Sequence, residues 1–373
     1  MDLMTIGMLV AGLVLLVVGG ELLVRGSSEL AALAGVAPLV IGLTVVAFGT
    51  SAPELAVSVQ AGLSGNSDIA IGNVVGSNIF NVLFVLGACA LVAPLVVSIQ
   101  LVRREVPILI GLSFGIGAMA LDGRVGLVDG LILTAGIIIY TTWSVISSRR
   151  ETAAAIAEQA KNSETITAAP SKDPRVLFMN LGLLIGGLGI LVFGSRLLVD
   201  GAVALAQSLG VSNVIIGLTI VAAGTSLPEV VTSVIATLRN ERDIAIGNAI
   251  GSSIFNILAI LGIAAMVTPG GLVVAPSVIN FDLPVMIAVA VACLPVFFTG
   301  MSIARWEGAL FLAYYAAYTI YLILAATQHD ALPAFSQVMG LFVVPITVIT
   351  LIVLGVQAFF KQGRDQNKLG TAD

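Results

Sequence analysis

The segment starting at Ile41, IGLTVVAFGTSAPELAVSVQAGLSGNSDIAIGNVVGSNIFNVLFVLG, and the segment starting at Ile216, IGLTIVAAGTSLPEVVTSVIATLRNERDIAIGNAIGSSIFNILAILG, align without a gap at a constant offset of 175 residues and are identical at 29 of 47 positions. Both copies lie in apolar sequence. Long apolar runs recur near 3–24, 33–63, 69–97, 105–121, 125–146, 176–199, 209–238, 244–268, 283–300, 306–326 and 335–360. Each approaches or exceeds the roughly 20 residues that cross a bilayer as a helix. The chain is 58% hydrophobic and 10% charged, against about 25% charged for an average soluble domain. Lipid cannot satisfy backbone polar groups, so runs of this length form helices. Five runs lie between equivalent points of the two copies, and an odd number turns the second copy upside down.

The expected fold is therefore an all-α polytopic membrane protein, an inverted-topology repeat of two five-helix halves with an additional C-terminal helix. Residues 1–146 form the first half, 147–175 a cytoplasmic linker, 176–326 the second half, and 327–373 the extra helix and tail. The first run has Asp2 and no Lys or Arg ahead of it, so it reads as a retained span, not a cleaved leader. With the N-terminus outside, 14 of the 16 Lys and Arg fall in cytoplasmic loops, leaving Arg124 and Arg196 outside. By the positive-inside rule the chain is N-out, C-in.

Within these spans the motifs GTSAPE, residues 49–54, and GTSLPE, residues 224–229, each place a proline and a carboxylate where hydrocarbon is expected. Pro53 and Pro228 lack an N–H and displace the carbonyl four residues back, which frees acceptors near Gly49 and Gly224. Such backbone is tolerated at membrane depth only where it is buried in protein or lines a cavity, and a bound cation is one partner for it. Ala47, Thr50, Ser51 and Glu54 share a helical face, and Ala222, Thr225, Ser226 and Glu229 repeat it. Ser77 with Asn81, and Ser252 with Asn256, are each four apart on a following helix. Two carboxylates, hydroxyls, amide oxygens and carbonyls without His or Cys make a hard oxygen site, suited to Ca2+ and Na+ and poorly to zinc or copper. Two buried glutamates repel each other unless a cation neutralises both. A site that reorients only when loaded couples the exit of one ion to the entry of another.

The remaining polar positions have structural readings. Asp68 and Asp243 are expected to cap helices. Gly72 with Gly76 and Gly247 with Gly251 are expected to let helices approach closely. Glu21 with Arg25 is expected to form an i,i+4 pair, and Glu105 and Asp282 are expected at the membrane interface. Cys89 and Cys293 read as small core residues. The lone histidine, His329, reads as a solvated loop residue with no nucleophile beside it, so no enzymatic activity and no cofactor are expected. No nucleic acid and no obligate protein partner are indicated; the expected partners are Ca2+, Na+ and the lipid bilayer.

The paired motifs, each followed by GNxxGSxIFN, resemble the alpha repeats of the sodium/calcium exchanger family within the cation/calcium antiporter superfamily. The likeness covers the chain to about residue 326 and implies a ten-span body in a cell membrane of prokaryotic type. It implies exchange of Na+ for Ca2+, with Glu54 and Glu229 on Ca2+ and backbone carbonyls of Thr50 and Thr225 added to it. Ser51, Ser77, Ser226, Ser252 and the carbonyls of Ala47 and Ala222 would line flanking Na+ sites, with Asn81 and Asn256 bordering the centre. The potassium-dependent branch resembles this chain but has Asp at the position of Asn256, which implies exchange independent of K+. Two alternatives stand beside this reading. One is a Ca2+/H+ antiporter of the same superfamily, whose motif resembles GNxxE; the other is a cation channel with an acidic ring.

Overall fold

The computed structural model describes residues 3–162 and 174–353, so residues 163–173 of the expected linker and the tail from residue 354 lie outside the described residues. The helices are α1 (Leu3–Ala34), α2 (Pro38–Thr50), α3 (Ala52–Leu63), α4 (Ser67–Val92), α5 (Leu101–Asp122), α6 (Leu127–Asn162) and α7 (Pro174–Ser208). They continue with α8 (213–224), α9 (Leu227–Leu238), α10 (Arg242–Val267), α11 (Val278–Phe298), α12 (Arg305–Ala326) and α13 (Leu332–Val353). Among the described residues nine helices are long and apolar enough to cross a membrane, and the bent pair α2–α3 makes ten. The expected run 209–238 falls on α8 and α9, the second-half equivalents of that pair. The run expected to end at 146 continues as helix to Asn162.

Neither motif proline sits in a helix interior. α2 ends at Thr50, Ser51 leaves helical geometry at φ −83° and ψ 6°, and Pro53 lies in the first turn of α3, which departs at 47°. There its missing N–H costs no hydrogen bond. Ser226 and Pro228 repeat the arrangement between α8 and α9. Wide π-helical turns also recur in matched places, at Gly42–Val46 and Gly217–Val221, and at Asn81–Val85 and Asn256–Leu261. Such turns are often found at functional sites.

Two helices form the centre. Of the spanning windows of α4 and α10, 78% and 83% is buried, against 28% and 22% for α1 and α7 and none for α13. The broken pairs α2–α3 and α8–α9 pack around that centre. Two short antiparallel ladders tie the halves together: Leu95–Val96 (β1) with Ser302–Ile303 (β4), and Arg124–Val125 (β2) with Leu272–Val273 (β3). Each half gives one strand to each ladder, as a two-fold relation requires.

Outside the centre, α1 and α7 pack closely on glycines. Gly12, Gly19 and Gly26 recur every seven residues on α1, and adding 175 gives Gly187, Gly194 and Gly201 on α7. A Cβ on Gly19 would come 2.7 Å from the Leu191 nitrogen and 2.8 Å from the Gly187 oxygen, and one on Gly187 would come 2.6 Å from the Leu23 nitrogen. The two backbones are in contact along the pair, as small residues permit in a membrane.

Three smaller expectations are corrected, and two acids gain partners that the sequence did not show. Asp68 and Asp243 do not cap their helices; both lie in the first turn, after Asn66 and Glu241 at the cap positions. An acid there favours the positive helix end without a capping bond. Glu21 pairs with Arg239 of the other half, whose Nε donates to Glu21 Oε2 at 2.8 Å, not with Arg25. Glu105 is fully buried, accepting from the Tyr140 hydroxyl at 2.7 Å, and Asp282 likewise accepts from Tyr318 at 2.8 Å. The glycine pairs differ: Gly247 and Gly251 touch the backbone of Leu39 and Leu43 on α2, whereas a Cβ on Gly72 or Gly76 would meet nothing within 4 Å.

Candidate cation site

The two helix breaks meet between the halves. Ser226 Oγ donates to Glu54 Oε1 at 2.7 Å, and Ser51 Oγ donates to Glu229 Oε1 at 3.0 Å. Each motif's serine thus holds the other motif's carboxylate. Ser226 Oγ is also 3.2 Å from Ser77 Oγ, and Thr50 Oγ1 is 3.5 Å from Ser252 Oγ. Thr225 lies against the Glu54 carboxyl, as Thr50 and Ser252 do against that of Glu229. Glu54 and Glu229 are each 1% exposed.

The second oxygen of each carboxylate, Oε2, is buried without a hydrogen-bond partner, as are Asn81 Oδ1 and both amide atoms of Asn256. Buried polar atoms are almost always paired, and each exception needs a reason. Four of these five open atoms are oxygens of carboxylate and amide, and such oxygens around two carboxylates fit a site for a hard cation. The Ala47 carbonyl accepts from the Ser51 N–H at 3.0 Å and from Thr50 Oγ1 at 3.4 Å. Ala222 is exposed on α8.

Sequence reasoning named the last asparagine of each GNxxGSxIFN motif and passed over the first. Asn73 donates to the Glu54 carbonyl at 3.0 Å and to Ser58 Oγ at 2.8 Å. Asn248 donates to the Glu229 carbonyl at 3.3 Å and to Ser233 Oγ at 2.9 Å. These bonds fix the backbone of each carboxylate to the central helix that follows. The signal was available as an identical polar residue in both copies of an apolar segment. Ser195, on α7, was also missed; its hydroxyl takes the Gly224 carbonyl at 2.8 Å, so the acceptor expected there for a cation has a protein donor. The matching first-half position is Gly20, which has no hydroxyl.

The two halves are not in the same state. On one side Asn248, Gly247, Gly251, Ala47 and Thr50 are all buried, and Thr50 Oγ1 donates to Asn248 Oδ1 at 3.1 Å. On the other, the equivalents Asn73, Gly76 and Thr225 are half-buried, and Gly72 and Ala222 are exposed. α2 closes on α10, whereas α8 stands off α4.

An inverted repeat with broken helices meeting at buried acids defines a membrane carrier of the secondary-transporter class. The family described as sodium/calcium exchanger protein matches residues 4–146 and 179–324. The chain belongs to the sodium/calcium exchanger family. It is 36% identical to the inner membrane protein YrbG of Escherichia coli over 294 residues, 78% of this chain and 87% of that one. It is 32% identical over 348 residues to the sodium/calcium exchanger MaX1 of Methanosarcina acetivorans, covering 84% of this chain and 97% of that one. The solved structure of the sodium-calcium exchanger NCX_Mj superposes with a TM-score of 0.72 at 33% identity, covering 85% of this chain and 98% of the other.

Proposed function

We propose that this protein is a secondary antiporter that exchanges Na+ for Ca2+ across a cell membrane by alternating access. The observation that carries the reading is the crossed pair Ser226–Glu54 and Ser51–Glu229, with one open carboxylate oxygen on each glutamate. Two carboxylates balance one Ca2+, and emptying the site would leave two facing charges in a poorly solvated centre, which is costly. Replacement by Na+ at flanking oxygens removes that cost, and this couples the two ions.

In this reading Glu54 and Glu229 ligate Ca2+ together with carbonyls of Thr50 and Thr225. Ser51, Ser77, Ser226 and Ser252, with the carbonyls of Ala47 and Ala222, line Na+ positions, and Asn81 and Asn256 border the centre. Asn73 and Asn248 position the two acidic turns. The contrast between α2 closed on α10 and α8 standing off α4 supports one-sided access, with the other side opening when the halves exchange conformations. With the N-terminus outside, the open side is extracellular, because α4 begins and α8 begins on that face.

Residues 1–146 and 176–326 serve as the two halves that rock about the site, 147–175 joins them in the cytoplasm, and 327–373 adds a helix outside the exchange machinery. The neutral amide at Asn256 supports K+ independence. Calorimetric titration of the purified protein with Ca2+ tests the assignment: binding is expected to be competed by Na+ and lost in Glu54→Gln. Ca2+ binding indifferent to Na+ would contradict it.

A further inference from the structure

The two halves carry matching grooves on their membrane-facing sides, and only one is covered by protein. In the second half a cavity of about 360 Å³ lies between α11 and α12, and α13 closes it with Phe335, Met339 and Leu351, held by a hydrogen bond of 2.6 Å from the Tyr314 hydroxyl to Thr347 Oγ1. In the first half a groove of about 330 Å³ lies between α5 and α6. Its lining residues have counterparts in the second cavity: Ile108 matches Val285, Leu112 matches Val289, Tyr140 matches Tyr318, and Trp143 matches Tyr321. No helix of the described chain covers it.

The ends of the two grooves differ in charge. Trp143 leads directly to Arg104, whose guanidinium lies 5.9 Å from the indole centroid and donates to Ser147 Oγ at 3.2 Å and to Glu151 Oε1 at 2.6 Å. Arg150 lies seven residues beyond Trp143 on the same helical face and is exposed, and Arg103 and Arg149 are exposed beside them. Four arginines thus stand against Glu151 and the buried Glu105, which the Tyr140 hydroxyl occupies. The counterpart end has Asp282 bound to Tyr318.

We propose that the groove between α5 and α6 holds an acyl chain of an anionic phospholipid whose phosphate is bound by Arg104 and Arg150. The apolar walls suit a chain at membrane depth, and the cationic rim selects the headgroup. Juxtamembrane arginines attract anionic lipid in this way, and interfacial tryptophan marks the headgroup level. A second copy of α13 fits less well, because 332–353 has no carboxylate to meet the arginines and that helix is already seated on its own half.

The test uses the full-length protein reconstituted with phosphatidylglycerol carrying a photoreactive group near the end of one acyl chain, compared with the same probe in phosphatidylcholine. Labelling is expected at Ile108, Leu112 and Ile139, about thirtyfold stronger from phosphatidylglycerol, the preference that two arginines at about 1 kcal/mol each supply. Arg104→Gln with Arg150→Gln should bring both probes to the same level, and Leu112→Trp, which fills the groove, should remove labelling from both. Ca2+ exchange within about twofold of wild type shows that each variant is folded. Equal labelling of the wild type by the two probes would overturn the proposal, as would labelling unchanged by either variant or a cross-link showing a second copy in the groove.

Discussion

Ser226 Oγ donates to Glu54 Oε1 at 2.7 Å although 172 residues separate them, and the inverted partner bond joins Ser51 to Glu229. Each half orients the other half's acid, so neither half has a complete site alone. Ser226→Ala and Ser51→Ala should each weaken Na+ activation by about tenfold, the scale of one hydrogen bond to a charged group. Ca2+ affinity should change less, because both carboxylates remain. Measuring exchange against Na+ and Ca2+ concentration separates the two effects; a selective loss of Ca2+ affinity would contradict the assignment of these hydroxyls.

Glu54→Gln and Glu229→Gln should each lower Ca2+ transport by about a hundredfold or more, since one carboxylate leaves a divalent ion under-neutralised where charge is costly. The fold should survive, as each substitution removes a buried charge and keeps the shape. Flux in proteoliposomes alongside size-exclusion profiles tests both statements, and near-normal flux in either variant would place the site elsewhere.

Packing of α1 on α7 gives a prediction about stability. Gly19→Ala puts a methyl 2.7 Å from the Leu191 nitrogen, whereas a Cβ on Gly7 meets nothing within 4 Å. Gly19→Ala should destabilise the protein by about 1–3 kcal/mol, the usual cost of overpacking, and Gly7→Ala by less than about 0.5 kcal/mol. Thermal unfolding in detergent compares them. Equal midpoints would mean that the helix pair separates to accommodate the methyl.

The parts of the fold and site that the sequence revealed were those written twice. The offset of 175 exposed the inversion and the two acidic breaks, and hence both glutamates with their serines. It also contained the glycines at 12, 19 and 26 with their partners at 187, 194 and 201, which went unread because a seven-residue spacing of small residues is faint within apolar helices. Features set by tertiary contact were not legible. Glu21 finds Arg239 because α1 packs against the second half, and Glu105 is buried because Tyr140 reaches it from α6. The difference between Gly72 and Gly247 belongs to a conformational state, which identical motifs cannot encode.

Asn256 is 1% exposed and neither amide atom has a partner. Asn256→Asp would add a third carboxylate at the site, and the new charge must be accompanied by a proton or another monovalent cation. Wild-type exchange should be unchanged by removing K+ from both sides, whereas the variant should become dependent on pH or on added K+. Flux with and without K+ from pH 6 to 9 reads this. Wild-type flux that collapses without K+ would end the K+-independent reading.

The central claim is coupling between Na+ and Ca2+, and Ca2+ accumulation by wild-type proteoliposomes measures it most directly. One arm imposes an outward Na+ gradient at equal pH on both sides; the other imposes a pH gradient with no Na+. Accumulation against a Ca2+ gradient is expected in the first arm, collapsing when the Na+ gradient is dissipated, and little is expected in the second. Accumulation driven only by the pH gradient would show a Ca2+/H+ antiporter, and Ca2+ movement that only ever runs downhill would show a channel; either contradicts the account.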